Sequence, residues 1–437
     1  AVWQLLYYSF WPLPFLEGCA RRFCTPFTIR IAGYGTLVML TAADAVKDVF
    51  RGDPHVLHSG EGNEFLSATV GSTSVLVLDD EAHQRQRRIL LPPLKGERMR
   101  AFFAAMQTAT LETVQAWPLD QPLRMVEPMQ QITLRVILQA ALGLAPGPEL
   151  TAFEDKVRRL LALTRSRYSL ILMKALPLQL LQKVRWLPYY RQLRDLDDAL
   201  LALVAAHRRA AGGGRDANVL DDLLAAAHDD GTPLSDREVR DATVTLLVAG
   251  HETTSLALAW TIEQIVSREN VLRSVTHELL KVTGGAPPRA DQLERLQYLD
   301  AAIRESLRLR TILPFVVRLT KQPFVAGGRE YPPGVLLSPC NHLVHRRADL
   351  YPEPDDFRPE RFLERNYAAH EWFPFGGGNR LCLGMAFALY EMKVVLSTLF
   401  AQTRLARPPG SRSRPIRRGI SLAPHDGAQV VVLERRT

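Results

Sequence analysis

The chain has 437 residues, of which 47% are hydrophobic and 23% are charged. This composition is typical of globular proteins and unlike that of disordered or fibrous chains. The formal net charge is +8 at pH 7, which would suit an acidic partner. The basic residues are scattered, without zinc-finger spacing or a basic strand interleaved with aromatics, so a nucleic-acid-binding module is not expected. We therefore favour an acidic protein partner.

The cysteines and the apolar segments limit where the protein works. Cys19, Cys24, Cys340 and Cys382 are too few for a disulfide framework in so long a chain, although Cys19 and Cys24 could pair. We expect reduced thiols and a cytoplasmic location. No uninterrupted apolar run reaches the ~18 residues of a membrane span. Because the chain starts with Ala rather than Met, we expect native residues to be missing before it, and these could carry an anchor.

In the first half of the chain, the pattern predicts strands followed by helices. Residues 27–40 contain two β-rich runs around a Gly-Tyr-Gly turn, which predicts paired strands. Residues 41–50 predict a short helix with Thr41 as its N-cap. From about residue 81 to residue 182, glycines are few and the sequence predicts mostly helix.

The second half is organised around one long helix. A Ser235 cap begins a predicted helix of about 34 residues, far longer than the ~11–12 residues of an average helix, so we expect it to cross the whole molecule. Loops are predicted at 209–218 and 283–290, and a later helix is expected to end near Arg310. Hairpin strands and a carboxyl-terminal strand follow. Without repeats or linkers, we expect one mixed, mainly helical domain over residues 1–437.

Residues 373–384, FPFGGGNRLCLG, place one cysteine among four glycines directly before a helix. The helix amino terminus would favour the thiolate of Cys382. A thiolate can attack carbon, with a histidine base that the sequence neither supplies nor excludes, or it can bind a metal. Zinc and iron–sulfur sites need further cysteines at short spacing, so the metal would take its other ligands from a cofactor such as haem. Glycines 376–378 would then approach the porphyrin and Arg380 a propionate. A glycine-rich turn with an incidental cysteine is the simpler alternative.

The same stretch resembles the haem-binding loop of the cytochrome P450 superfamily, which reads Phe-x-x-Gly-x-Arg-x-Cys-x-Gly. The resemblance implies that Cys382 is the axial ligand of the iron in haem b. It also implies the cytochrome P450 fold, mainly α with small β-sheets, with the haem buried between the long central helix and the helix after the cysteine loop. The loop residues expected at the cofactor are Phe375, Gly376, Arg380, Cys382 and Gly384.

The long helix contains AGHETTS at residues 249–255. Thr253 can donate a hydrogen bond to the carbonyl of Ala249 and loosen the helix locally, and Glu252 could extend a proton path. The simpler alternative is a threonine that satisfies its own backbone beside a solvated glutamate. The resemblance implies that Ala249 lies against the haem and that Glu252 and Thr253 are catalytic, delivering protons to bound dioxygen.

Two further sets of charged residues support the resemblance. Glu305 and Arg308 are three residues apart, on one helix face, and alone would predict a surface ion pair. In the family, their equivalents form with that of Arg361 a buried structural network that supports the cysteine loop.

His83 and Arg87, four residues apart, also share a helix face. The resemblance assigns them, with Arg318, to the haem propionates. Arg85 and Arg88 point elsewhere on the same helix, and we predict that they belong to a basic surface that docks an acidic ferredoxin. Solvated surface charge is the common alternative for such residues.

The expected substrate pocket is mostly apolar, which suits an apolar substrate. The segment 168–190 is apolar enough to form an access lid. Within the family, the sequence resembles a bacterial branch that oxidises fatty acids and terpenes. Core packing would explain any single pocket residue equally well. The residues expected to line the pocket are Ser74, Val75, Val248, Ala249, Leu313, Phe315, Ile420 and Ser421.

The resemblance implies a monomeric monooxygenase that activates O2 with electrons from NAD(P)H, delivered by a ferredoxin reductase and a ferredoxin. It would hydroxylate or epoxidise an apolar compound such as a fatty acid, a terpene or another secondary-metabolite intermediate. One alternative is a peroxide-driven haem-thiolate enzyme, although relatives of that kind usually replace the Glu252–Thr253 pair. Another is a haem-thiolate sensor without turnover.

Overall fold

The computed structural model describes residues 2–32, 35–164, 188–209 and 218–436. Helices dominate, and the strands are short. The helices are α1 Val2–Phe10, α2 Pro12–Phe23, α3 Ala43–Arg51, α4 Ser67–Val70, α5 Asp80–Leu90, α6 Gly96–Ala101, α7 Phe103–Gln115, α8 Val126–Leu142, α9 Pro148–Thr164, α10 Pro188–Arg209, α11 Val219–Ala225, α12 Asp236–Val266, α13 Glu269–Thr283, α14 Gln297–Leu309, α15 Asn341–Val344, α16 Arg361–Glu364 and α17 Met385–Gln402.

The strands form one five-stranded sheet and three smaller ones. The larger sheet has the order β1-β2-β8-β5-β3, in which β2 and β8 are parallel and the other pairs antiparallel; the others are β4-β12-β9, β10-β11 and β6-β7. The strands are β1 Phe27–Ile31, β2 Gly35–Leu40, β3 Leu57–His58, β4 Pro122–Arg124, β5 Arg318–Thr320, β6 Phe324–Ala326, β7 Arg329–Tyr331, β8 Leu336–Pro339, β9 Thr403–Ala406, β10 Pro415–Arg418, β11 Ser421–Pro424 and β12 Gln429–Arg435.

Helix α12 is the long helix that the sequence predicts. It has 31 residues, which gives a length of about 46 Å. Ser235 caps it: its hydroxyl accepts a hydrogen bond from the backbone N–H of Glu238, whose side chain accepts one from the backbone N–H of Ser235. This capping box satisfies two amides that the helix leaves unpaired. Because α12 is apolar or buried on most faces, it lies within the molecule rather than on its surface.

Helix α17, which follows the cysteine loop, packs into the same hydrophobic core as α12. The core also takes side chains from α8 and α14, and it is separate from the apolar clusters that include the five-stranded sheet. The cysteine loop is therefore anchored to a helix that is itself fixed by the core. Buried members of this core are Ile132, Leu256, Ile262, Ile303, Leu396 and Leu399.

The amino-terminal part agrees with the prediction in its strands and differs from it in its helices. Strands β1 and β2 pair antiparallel as expected. The prediction of Thr41 as an N-cap is wrong: Ala42 occupies that position without a side-chain cap, and the buried Thr41 uses its carbonyl to accept from Arg347 at 2.8 Å. The apolar opening forms α1 and α2, with Pro12 in the first turn of α2, where proline is tolerated.

Several loop predictions fall partly on residues that are not described. The expected lid at 168–190 lies outside the described residues except for its last three, which begin α10. Most of the expected loop at 209–218 is also outside them. Among the described helices, none combines the length and apolar character that a bilayer crossing requires.

Candidate active site

The cysteine loop is closed by backbone hydrogen bonds. The N–H of Cys382 donates to the carbonyl of Phe375 at 3.0 Å, and the N–H of Gly376 donates to that of Phe373, also at 3.0 Å. Gly384 is the N-cap of α17. These contacts hold Cys382 three residues before the start of α17 at Met385, so the backbone of the loop sets the position of the thiol.

Two glycines of the loop allow close packing against α3, where a side chain would clash. Gly376 and Gly378 have positive φ angles of 70° and 66°, which favour glycine. A Cβ on Gly377 would lie 2.4 Å from the ring of Phe50, and one on Gly378 would lie 2.1 Å from the Phe50 carbonyl oxygen. We expected glycines 376–378 to admit a porphyrin. The structure shows a further requirement for glycine at Gly377 and Gly378, namely close contact with the end of α3, and the approach of a porphyrin stays a prediction.

The side chain of Cys382 is accessible to solvent, although protein atoms surround it closely. Burial raises the pKa of its thiol, and the N–H of Gly384 and the charge of Arg87 offset only part of that rise. Without a bound cation, loss of hydration therefore opposes the thiolate that the helix amino terminus is expected to favour. A bound cation would reverse the balance, since metal ligation deprotonates a thiol outright. A Cβ on Gly384 would meet only the Cys382 sulfur, at 4.0 Å, so the space beside the thiol is open.

The middle of α12 has one accessible face although most of the helix is buried. Ala249 is exposed and Thr253 half-buried, whereas His251 and Thr254 are buried. An exposed face at this depth indicates an internal space. The predicted hydrogen bond is confirmed: the Thr253 hydroxyl donates to the carbonyl of Ala249 at 2.7 Å. The helix stays continuous there, and the local loosening stays a prediction.

Glu252 does not lie on a solvated face. Its carboxylate forms an ion pair with Arg418 of β10, with 3.3 Å between Oε1 and Nε. Both side chains are largely buried. No pattern in the sequence predicted Arg418 as this partner, because only the fold brings β10 close to Glu252.

Three arginines and a histidine form a cationic group near the loop, which we call the cationic cluster: His83, Arg87, Arg318 and Arg380. Arg87 donates to the carbonyl of Leu381 at 2.7 Å. The buried Arg318 donates to the carbonyl of Gly377 at 3.1 Å. The three guanidinium groups repel one another through the protein interior, so an anionic group beside them would be stabilised.

The pKa values of the cationic cluster reflect this crowding. Burial, with repulsion from Arg380, lowers the pKa of Arg318 to about 9. Burial, with repulsion from Arg380 and Arg87, lowers that of His83 to about 4, so its imidazole is neutral at pH 7. Burial lowers the pKa of Arg380 to about 10, although Asp79 acts in the opposite direction.

Asp79 is a site residue that the sequence analysis missed. It forms a short ion pair with Arg380 and accepts hydrogen bonds from three consecutive backbone N–H groups of residues 59–61, each at 2.9 Å. Arg380 also donates to the carbonyl of Leu78 at 2.6 Å, while its Nε has no acceptor among the described residues. The position of Asp79 just before α5, the helix that carries His83, was the only sequence signal for this residue.

Glu305, Arg308 and Arg361 form a buried ionic network. Glu305 accepts from Arg308 at 2.6 and 2.8 Å and from Arg361 at 3.0 Å, and all three side chains are almost inaccessible. Arg308 also donates to the carbonyl of His345 at 2.6 Å. The imidazole of His345 in turn accepts from the backbone N–H of Phe373 at 3.0 Å. The network is thus connected to the start of the cysteine loop through a histidine that the sequence analysis missed.

The expected pocket residues do not all reach accessible space. Val248, Leu313 and Phe315 are half-buried, and Ala249 and Ile420 are exposed. Ser74 and Ser421 are buried, and so is Val75. The structure places Ser74 differently from the expectation. Its buried hydroxyl forms a hydrogen bond with that of Thr245 on α12, at 2.7 Å, and does not face the pocket. Phe315 packs against the ring of Tyr8.

The residues present fit a haem. Cys382 offers a thiol that needs a cation to ionise, the accessible face of α12 offers apolar surface beside an internal space, and the cationic cluster offers charge for two carboxylates. Arg380 has an unused donor within this group. Cys382 would hold the iron, and His83, Arg87, Arg318 and Arg380 the propionates.

Comparison with known proteins agrees with this fit. The family model described as Cytochrome P450 matches residues 7–431. Cytochrome P450 135B1 of Mycobacterium tuberculosis is 34% identical over 424 residues, covering 97% of this chain and 88% of its own. Cytochrome P450 138 of Mycobacterium bovis is 33% identical over 419 residues, covering 95% and 90%.

Solved structures share the fold. Cyanobacterial CYP120A1 with bound retinoic acid superposes with a TM-score of 0.82 at 22% identity, covering 98% of this chain and 95% of its own. The haem domain of cytochrome P450DA gives 0.84 at 24% identity, covering 99% and 95%. The predicted mainly helical P450 fold is confirmed. With a matching family model over nearly the whole chain and relatives above 30% identity, the chain belongs to the cytochrome P450 family of haem-containing monooxygenases.

Proposed function

We propose that this protein oxidises an apolar substrate at a haem held by Cys382, with electrons supplied by a ferredoxin and its reductase. The observation that carries the proposal is the buried yet accessible thiol of Cys382 beside the cationic cluster. The haem, when bound, supplies the activation of dioxygen. The chain's own residues bind and orient the substrate, hold protons and limit water.

Glu252 and Thr253 are the proposed proton-handling pair. The Thr253 hydroxyl is on the accessible face of α12 and donates to the carbonyl of Ala249, so its oxygen can still accept a hydrogen bond. Glu252 is paired with Arg418. We infer that Glu252 must leave this ion pair to pass a proton towards Thr253. Between turnovers, Arg418 keeps the carboxylate of Glu252 in the ion pair.

The substrate class is inferred from the accessible side chains of the pocket. Val248, Leu313, Phe315 and Ile420 are apolar and at least partly accessible, which suits a fatty acid, a terpene or another apolar secondary-metabolite intermediate. The neighbour with bound retinoic acid is only 22% identical and supports the fold alone. A spectral titration of the haem-loaded protein with fatty acids, terpenes and macrolides would identify the class by displacement of water from the iron.

The electron donor is inferred from charge. Arg85 and Arg88 are exposed on α5, the helix that also carries His83 and Arg87. Arg88 already pairs with exposed Asp229 at 3.1 Å, so Arg85 is the better test of docking. We expect Arg85→Glu to slow reduction by ferredoxin more at low salt than at high salt. A reduction rate equal to that of the wild type at every salt concentration would remove the docking proposal.

A matched pair of threonine variants tests the proton path. Thr253 and Thr261 both donate to the carbonyl four residues earlier on α12, each at 2.7 Å, but Thr261 is fully buried. With NADPH, reductase, ferredoxin and O2, Thr253→Val should lower the rate of product formation by at least about tenfold, and Thr261→Val should leave it nearly unchanged. Equal losses in both variants would show a structural effect instead. Wild-type turnover driven only by hydrogen peroxide would favour the peroxide-driven alternative.

A further inference from the structure

An arginine-rich cleft lies at the carboxyl end of α12, and none of its lining residues belongs to the candidate active site. Its volume is about 300 Å³, at the lower end of the range for ligand pockets of about 300–1,000 Å³. The end of α12, the end of α14 and the connection between β9 and β10 form its walls. The described lining residues are Glu263, Gln264, Ser267, Arg268, Arg310, Arg407, Arg412 and Ser413.

The charge of this cleft is strongly one-sided. Four arginines face one acidic side chain, Glu263, among the described residues that line it. The carboxyl end of α12 adds about half a negative charge, which leaves a large positive excess. Close positive charges destabilise one another in a partly buried setting, so an arrangement of this kind is costly unless an anion shares it.

Two of the four arginines stack on aromatic rings, which fix the orientation of their guanidinium groups. The guanidinium of Arg268 lies 4.9 Å from the ring centroid of Phe357, and that of Arg310 lies 4.8 Å from the centroid of Trp260. Burial lowers the pKa of both, and Glu263 offsets part of that decrease. For Arg268, repulsion from Arg310 and Arg407 lowers the pKa further, while Asp356 acts in the opposite direction. Arginines stacked on aromatic rings lose little further freedom when they bind. They are therefore oriented before any ligand arrives.

Hydrogen-bonding capacity remains in the cleft. The Nε of Arg310 is buried and donates to no acceptor among the described residues. Arg268 uses one donor on the carbonyl of Gln264 at 2.9 Å, and Arg407 uses Nε on the hydroxyl of Ser411 at 3.1 Å. A guanidinium has five N–H donors, so most of the donors in the cleft are available to a ligand rich in acceptors.

We propose that this cleft binds the phosphate group of a phosphorylated small molecule. A phosphate combines a charge close to −2 with several strong acceptor oxygens, and arginine forks match its geometry. The volume leaves space for more than one phosphate group. Arg268 and Arg310 form the fixed floor of the site, and Arg407 and Arg412 reach the ligand from the β9–β10 connection.

Calorimetric titration of the haem-loaded protein with inorganic phosphate and with pyrophosphate, at constant ionic strength set by NaCl, tests this proposal. Both should bind, pyrophosphate more tightly. Arg407→Gln combined with Arg412→Gln should weaken pyrophosphate binding at least tenfold, because charged hydrogen bonds are lost. These positions are exposed or half-buried, so the variant should fold.

The matched control removes two positive charges from nearby positions outside the cleft. Arg404 and Arg414 are exposed on the same region of chain and do not line the cleft. Arg404→Gln combined with Arg414→Gln should change pyrophosphate affinity less than twofold. The proposal is overturned if neither anion binds beyond the NaCl background, or if both double variants lose affinity equally, since that result would mean attraction to the general positive charge.

Discussion

Gly378 limits what the cysteine loop can tolerate. Its φ angle is positive, and any Cβ there would lie 2.1 Å from the backbone oxygen of Phe50. That contact involves backbone on both sides, so neither partner can rotate away. Precise placement of Cys382 therefore depends on a steric requirement as well as on the chemistry of the thiol.

Replacing Gly378 by alanine should destabilise the fold and weaken haem retention. The positive φ costs about 1–2 kcal/mol for a residue with a side chain, and overpacking adds about 1–3 kcal/mol. Gly410→Ala is the matched control, since Gly410 has a similar φ of 74° with nothing within 4 Å of its Cβ position. Denaturant unfolding should show a larger loss for Gly378→Ala. Equal losses would mean that contact with Phe50 is unimportant.

Among the elements, α14 and the segment around Arg361 depend on the ionic network of Glu305. This carboxylate is fully buried and contacts two guanidinium groups. Such a network supports the fold only when it is complete, because removal of one partner leaves a buried charge without compensation and destabilises the folded state. Its link through His345 to Phe373 means that local disorder here would reach the cysteine loop.

Glu305→Gln should lower the free energy of unfolding by about 3–5 kcal/mol, because two buried arginines lose their counter-charge. The exposed pair of Glu269 and Arg273, at 3.1 Å, provides the comparison. Glu269→Gln should change stability by no more than about 0.5 kcal/mol. Denaturant unfolding and the haem-to-protein absorbance ratio would measure both variants. A small effect at Glu305 would contradict the proposed supporting role of the network.

Sequence patterns predicted features that depend on neighbours along the chain. The Ser235 cap, the paired strands at 27–40 and the Thr253 hydrogen bond all join residues that are near one another in the sequence. Local patterns predicted no contact between distant segments, and the buried pairing of Glu305 with Arg361 was expected only from the family resemblance. Phe50 against Gly378, and Arg418 against Glu252, are contacts that only the folded chain creates. Local periodicity carries no information about such pairs.

At the scale of the whole molecule, acid should weaken the fold through buried histidines. Burial lowers the pKa of His342 to about 4, below its ordinary value near 6.5. The unfolded chain therefore binds a proton between pH 6.5 and pH 4 that the folded chain does not, and stability falls as pH decreases. Glu17 acts in the same direction, because its hydrogen bond with His342 holds the pKa of its carboxyl below the usual range.

We expect His342 to contribute a loss of about 2 kcal/mol between pH 7 and pH 5. His342→Gln should flatten the pH dependence of denaturant unfolding, whereas His277→Gln, at an exposed position, should leave the slope unchanged. A slope for His342→Gln as steep as that of the wild type would contradict a buried neutral imidazole.

The absorption spectrum of the reduced protein under carbon monoxide tests most directly whether Cys382 binds the haem iron. If Cys382 binds the haem iron as a thiolate, the wild type will show the red-shifted Soret band that distinguishes thiolate from imidazole ligation. Cys382→Ser should lose this band, and Cys340→Ser, which removes a buried cysteine elsewhere, should keep it. A wild-type spectrum without the thiolate band, or a Cys382→Ser spectrum that retains it, would contradict the central claim.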